Sequence, residues 1–197
     1  MPVERADMCK MCNTIVRQSV DLIKNALSQV GSDYFKLKTT FEPSGIVRER
    51  VFCYELYHQL RNRMTTILDL TLNGEIDKRG HIDFAPKDQK NPDFVFHIPG
   101  THEGNTLVIE VKGKLKSDAI ENDLNKIITF IERYDYKAGV FVLYNYSLER
   151  LKKRAGQVLR KYNSRPFANS VYILAIEHPG MNCEELLLSE SNQQRTY

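Results

Sequence analysis

Asp93, Glu110 and Lys112 are the residues of this chain whose types and spacing could do chemistry. Asp93 follows Pro92 and opens the run DFVFHI, Asp93 to Ile98; Glu110 and Lys112 close the run TLVIEVK, Thr106 to Lys112. Both runs read as strands. Side chains alternate across a strand, so Val108, Glu110 and Lys112 share one face of the second run, with Leu107, Ile109 and Val111 on the other. Asp93, Val95 and His97 share a face of the first. The polar loop Pro99 to Asn105 joins the two as a hairpin, whose register brings Asp93 near Glu110. Two carboxylates and a lysine meeting at strand ends suit metal-assisted hydrolysis of a phosphodiester. Mg2+, with Mn2+ as a substitute, takes oxygen ligands and keeps several waters. Asp93, Glu110 and the backbone carbonyl of Val111 are its candidate ligands. The ion would make a bound water acidic, and Lys112 would position that water or neutralise the growing oxyanion. The same residues also suit a blander arrangement, with Asp93 capping a turn and Glu110 and Lys112 as a solvated pair on an edge strand.

Such residues act only if other elements hold them. Val3 to Val30 reads as an amphipathic helix, with Met8, Cys12, Ile15, Val16, Ile23, Leu27 and Val30 at spacings of three and four. Gly31 and Ser32 end it. Its apolar stripe must be buried against the domain or a second subunit. Phe41 to Gly45 reads as a loop through Pro43 and Gly45, and a second helix follows from Ile46 to Met64, with Glu55 in its middle. Asn73 to Gly80 reads as a turn region and His81 to Phe84 as a short strand. After the hairpin comes a helix from Ser117 to Tyr134, capped by Ser117 or Asp118. Ala138 to Tyr144 is nearly continuous apolar sequence, as in a central strand covered on both faces. A helix from Leu148 to Tyr162 and a strand from Val171 to Ile176 follow, and the sequence after Glu185 is polar and frayed. This order predicts an α/β fold, a mixed central sheet flanked by helices, with an added N-terminal helix. The expected division is 1–45 for the helix and linker, 46–180 for the domain with the site, and 181–197 for a polar tail.

Pro92-Asp93 followed after sixteen residues by Glu110-Val111-Lys112 resembles the signature of the PD-(D/E)XK nuclease superfamily. The resemblance covers about two-thirds of the chain, from Ile46 to Ile176, in the order of that superfamily's restriction-endonuclease-like core. It implies a Mg2+-dependent endonuclease with Asp93, Glu110 and Lys112 as its catalytic set. In many members a glutamate of the first core helix assists the metal, and Glu55 stands where that residue is expected. The helix NDLNKIITFIERY and the strand GVFVLYN also resemble small members of the superfamily.

The remaining charges suggest partners. Arg150, Lys152, Lys153, Arg154, Arg160 and Lys161 give the last helix a basic side, and Lys114 and Lys116 continue past the motif. Together with Lys126, the residues Lys114, Lys116, Lys152, Lys153 and Arg154 are the candidate phosphate contacts, which are insensitive to base sequence. Lys126 reads first as part of a solvated helix face and second as facing the cleft. Asp83 and His97 read first as structural or exposed residues and second as part of the same cleft. Nucleic acid, DNA before RNA, is the expected partner. A homodimer would suit the cutting of both strands of a duplex. The alternative is a nucleic-acid-binding or regulatory subunit that does no catalysis, within a larger protein assembly of a defence or mobile-element system. A third reading is an interaction protein assembled through its N-terminal helix. The formal net charge of +3 in 197 residues permits nucleic-acid binding without requiring it.

No apolar run approaches the roughly 18 residues that span a bilayer, and MPVERADMCK lacks the apolar stretch of a signal peptide. A cytoplasmic protein without a membrane partner is expected. Its four cysteines fit a reducing compartment. Cys9 and Cys12 have the spacing of half a zinc site, but no second pair follows, and two small apolar residues on a helix face account for them.

Overall fold

Ala138–Tyr144 is apolar from end to end, so it is stable only where both faces are covered, and all seven of its residues are buried. The computed structural model describes residues 5–64, 70–75, 91–100 and 104–191, and side chains among these from Met11 onward. In chain order the helices are α1 (Arg5–Leu27), α2 (Ser32–Phe35), α3 (Glu49–Arg63), α4 (Ser117–Arg133) and α5 (Leu148–Tyr162). The strands are β1 (Leu37–Thr39), β2 (Glu42–Ile46), β3 (Thr71–Gly74), β4 (Phe94–His97), β5 (Leu107–Lys112), β6 (Ala138–Tyr144), β7 (Val171–Ile176) and β8 (Glu184–Leu187). Strands β3 to β8 form one six-stranded mixed sheet in sequential order. Strands β3, β4 and β5 are antiparallel, β5, β6 and β7 parallel, and β8 returns antiparallel to β7. The α/β class and the mixed sheet flanked by helices are as the sequence predicts. Among the described residues no helix is long and apolar enough to cross a membrane.

Each parallel step needs a crossover, and α4 and α5 supply the two. Both pack on one face of the sheet, where Ile120, Leu124, Ile127, Leu151 and Leu159 meet Val95, Val108, Phe141 and Ile173. The other face is covered by α1 and α3. In α1 the buried positions are Val16, Val20, Ile23, Ala26 and Leu27, one stripe at helical spacing. Fully burying a Val, Leu or Ile is worth roughly 1.5–3 kcal/mol, so packing, more than helix propensity, holds this helix. Lys24 Nζ lies 2.7 Å from a Glu185 carboxylate oxygen, and Arg17 pairs with the same group. The hydrogen bonds from Arg17, then Lys24, hold the Glu185 carboxyl below its ordinary range. The N-terminal helix is therefore part of the domain, which settles where its stripe goes.

Several expected elements need correction. The polar tail begins later than residue 181, because Glu184–Leu187 pairs with β7 from Tyr172↔Leu187 to Ala175↔Glu184, and Leu188 is buried behind it. The segment read as a loop at Phe41 to Gly45 is the turn and second strand of a small β1–β2 hairpin, with Phe41 exposed at its tip. Thr71–Gly74, partly assigned to a turn, is β3. Helix α3 starts at Glu49, three residues later than expected. Lys116, not Ser117 or Asp118, stands at the N-cap position of α4, with no side-chain capping hydrogen bond, and the Ser117 hydroxyl instead donates to the Arg154 carbonyl at 3.3 Å. The expected strand His81 to Phe84, with Asp83, lies outside the described residues, as do the side chain of Cys9 and residues 192–197.

One glycine sets how closely α4 can approach the sheet. A Cβ on Gly139 of β6 would fall 2.1 Å from Ile127 Cγ2, with Ile131 Cδ1 at 3.4 Å. Ile127 is fully buried and has nowhere to withdraw. Gly139→Val is expected to destabilise the protein by about 1–3 kcal/mol, the usual cost of overpacking a core. Urea unfolding followed by circular dichroism measures this. Wild-type stability in the variant would show that α4 is not seated as closely as described.

Candidate active site

The register of the β4–β5 hairpin, Phe94↔Ile109, Val95↔Val108 and Phe96↔Leu107, continues one step to set Asp93 across from Glu110. Directly opposed residues of an antiparallel pair face the same side. Val95 and Val108, two residues further along each strand, lie together on the α4 face, so Asp93 and Glu110 belong to that face too. Asp93 stands just outside β4, and its Oδ2 accepts a hydrogen bond from Val111 N at 2.7 Å. The carboxylate thereby serves a backbone N–H beyond the last hydrogen-bonded pair of the two strands.

Glu110 is 2% exposed. It does not emerge at the strand end as its position suggested, because α4 lies over it. Its Oε2 is 2.7 Å from Lys126 Nζ on α4, and the same ammonium lies 3.3 Å from the Asn91 carbonyl. Glu110 Oε1 is buried with no hydrogen-bond partner among the described residues. Lys112 Nζ is 3.0 Å from Asp123 Oδ2 on α4 and 3.4 Å from Glu49 Oε2 on α3. Glu49 Oε1 in turn accepts from Gly113 N at 3.2 Å. Residue 113 has no room for a side chain, since a Cβ there would fall 2.4 Å from Tyr144 Cζ and Oη. The site thus lies at the carboxyl end of a parallel strand, where α/β sheets commonly bind ligands.

Three carboxylates, Glu110, Asp123 and Glu49, pair with two ammonium groups, Lys112 and Lys126, and a fourth, Asp93, feels the charge of both. If all are ionised, two negative charges remain uncompensated among the described residues. Burial raises the Glu110 carboxyl well above its ordinary range, the charge of Asp93 raises it further, and Lys126 only partly opposes this. Asp93 is raised by burial against the Val111 hydrogen bond and the two lysines. Asp123 is raised by burial against Lys112. Burial alone would lower Lys112, but Asp123 and then Glu49 outweigh it and hold the ammonium above its ordinary range.

These directions predict how stability follows pH. Asp93, Glu110 and Asp123 keep protons in the folded chain that the unfolded chain releases at about pH 4. The folded state therefore binds more protons above that point, and stability falls as pH rises from about 4 through the raised values, then levels. Without divalent cations, the free energy of unfolding is expected to decline across this window. In Glu110→Gln the decline should be visibly smaller, because its largest contributor no longer titrates. Parallel slopes in the two proteins, measured by urea unfolding across the window, would contradict the assignment.

Of the residues singled out from sequence, Asp93, Glu110 and Lys112 come together, with Val111 between the last two on β5. Glu55 does not join them. It lies six residues past Glu49, about 120° around the helix from it, and its carboxylate accepts from Gln59 Nε2 at 2.6 Å. Glu49 continues the buried stripe of Phe52, Cys53, Leu56 and Leu60 at spacings of three and four, so the acid that α3 brings to the site is Glu49. His97 is at the far end of β4, with Nε2 2.7 Å from Asn73 Oδ1. Lys126 lies in the carboxylate cluster and not on a solvated face. Lys114, Lys116, Lys153 and Arg154 are exposed and Lys152 half-buried. The Ser117–Arg154 hydrogen bond sets the Arg154 backbone beside the start of α4, just past Lys114 and Lys116.

Glu49 and Asp123 were missed. Asp123 had a signal in the sequence, a charged residue inside the stripe formed by Ile120, Leu124 and Ile127. Glu49 had none without the helix start.

Among the described residues no three His, Cys, Asp or Glu side chains converge as a ready-made metal cage. Mg2+ does not need one, since it is held by one or two carboxylates and retains waters. Asp93 and Glu110 would supply such a donor set, and Glu110 Oε1 is a buried oxygen without a partner among the described residues. The residues therefore fit a hard divalent cation.

Comparison of the chain with family models, curated proteins and solved structures found no match.

Proposed function

We propose that the chain is a metal-dependent endonuclease that hydrolyses nucleic-acid phosphodiester bonds, those of DNA first. The observation carrying this reading is the pairing of Asp93 and Glu110 across the hairpin, with Glu110 Oε1 buried and without a hydrogen-bond partner among the described residues. The resemblance of Pro92-Asp93 and Glu110-Val111-Lys112 to the PD-(D/E)XK signature supports it. Asp93, Glu110 and the Val111 carbonyl would hold Mg2+ or Mn2+. The bound ion supplies an acidified water and a positive charge against the scissile phosphate. Lys112 presents a fixed ammonium one turn of the pleat from Glu110, where it can orient a nucleophile or stabilise charge on the phosphate oxygens. Asp123 and Glu49 hold that ammonium in place and keep it charged. Lys114, Lys116, Lys153 and Arg154 provide exposed cations for the flanking phosphates.

A second reading has its own support. Glu110 and Asp123 each already face a lysine, as in a cluster that serves folding alone. That pattern suits a nucleic-acid-binding or regulatory subunit without turnover. Incubating purified protein with supercoiled plasmid and labelled single-stranded and branched DNA, in Mg2+, Mn2+ and EDTA, separates the two. Cutting in metal and none in EDTA is expected. Well-folded protein that binds these substrates but never cuts them would establish the second reading.

A further inference from the structure

Lys126 pairs with Glu110, one of the two proposed metal ligands. Its ammonium sits 2.7 Å from Glu110 Oε2 and 3.3 Å from the Asn91 carbonyl, two oxygen donors on the Asp93 side of the cluster. The side chain is 17% exposed, so the charge is held inside and not free in solvent. It comes from α4, which Gly139 lets close tightly onto the sheet. Nothing else among the described residues engages the other oxygen of Glu110. A divalent cation binding between Asp93 and Glu110 would meet a monovalent cation already paired there. Two positive centres cannot share one carboxylate edge at contact distance without strong repulsion, which low local dielectric makes worse.

We infer that Lys126 is a built-in counter-ion that holds the site closed in the absence of metal, and that a divalent cation binds by displacing its ammonium from Glu110. This rests on the reading of Asp93 and Glu110 as metal ligands. Displacement has two consequences. The apparent affinity for metal is reduced by the fraction of molecules in which Lys126 has let go. And the released ammonium, tethered on a helix beside the site, becomes available to a phosphate oxygen only once metal is bound. Metal binding and substrate binding are then coupled through one side chain. Lys112 differs, because Asp123 and Glu49 hold it whether or not Glu110 is engaged.

The test is Mn2+ binding to the full chain, followed by electron paramagnetic resonance of free ion, in wild type, Lys126→Met, Glu110→Gln and the double variant. Lys126→Met is expected to bind Mn2+ about tenfold tighter than wild type, a difference of about 1.4 kcal/mol. Glu110→Gln should lose binding in both backgrounds. In wild type, the side-chain ammonium resonance of Lys126, assigned through its own carbons, should shift on adding Mg2+ while that of Lys112 moves little. The resonance measurement decides alone if Lys126→Met does not fold. Equal or weaker Mn2+ binding by folded Lys126→Met, or an unmoved Lys126 signal at saturating Mg2+, would overturn displacement. Tighter binding in Lys126→Met without cleavage by any form keeps displacement and removes the nuclease. Cleavage with an unmoved Lys126 does the reverse. No Mn2+ bound by either folded form overturns both.

Discussion

Glu110→Gln and Asp93→Asn should each lower metal-dependent cleavage by about 10³-fold or more while the protein stays folded. Each replacement keeps the shape of the side chain and removes the charge a hard cation needs. Asn at position 93 still offers an oxygen to Val111 N, and Gln at 110 still fills the space beneath α4, so neither loss would trace to unfolding. The magnitude follows from the several kcal/mol that a metal supplies to a phosphoryl transition state, at about 1.4 kcal/mol per tenfold in rate. Lys112→Ala should behave differently. Its ammonium is held by Asp123 and Glu49 and not by the two proposed ligands, so cleavage should slow while Mn2+ affinity changes little. Single-turnover rates on plasmid, with Mn2+ binding and thermal unfolding of each variant, check all three. Full-rate cleavage by Glu110→Gln would remove the assignment of the site.

The parts of this site that were legible are those fixed by short-range regularities. Alternation put Glu110 and Lys112 on one face of β5, and the hairpin loop set a register that carries Asp93 to Glu110. Long apolar runs and helical stripes marked β6, α5 and β7 at their observed limits and α4 to within a residue. What failed had weak local patterning or depended on distant chain. Thr71–Gly74 has four residues, one of them glycine, and becomes a strand only through pairing with β4. Glu184–Leu187 opens with two acids and is stabilised from outside, by β7 and by Arg17 and Lys24 of α1. The resemblance points to Glu55 in the middle of α3, whereas the buried stripe of the helix runs through Glu49 at its start. Lys126 is the clearest case of tertiary control. As a sequence it reads like any lysine on a polar helix face, and only the packing of α4 on β5 and β6 puts its ammonium on Glu110.

That pairing raises the question of what Glu110 and Lys126 do for the fold, and stability can answer it. Replacing both together, Glu110→Leu with Lys126→Met, should raise the free energy of unfolding by about 1–4 kcal/mol, whereas either replacement alone should lower it, by about 3–5 kcal/mol at the extreme. The reason lies in desolvation. Glu110 is 2% exposed, and apart from the charged Asp93, Asp123 and Lys126 its surroundings on the α4 face, Val95, Val108, Leu124 and Ile127, are apolar. The attraction across 2.7 Å must offset removing both charges from water, and Glu110 Oε1 recovers no hydrogen bond among the described residues. A matched apolar pair has no such cost and extends the core already present there. For a chain of this size each kcal/mol corresponds to about 2–4 °C in melting temperature, so the gain would be plain in a thermal scan without divalent cations. The double variant should also fail to bind Mn2+. A more stable protein that has lost its metal would mean that the charges are kept at the expense of stability, which a purely structural cluster gives no reason to do. A double variant less stable than wild type would mean the opposite, that the ion pair and the Asn91 contact organise this corner of the sheet, and the case for the binding subunit without turnover would gain what the nuclease reading lost.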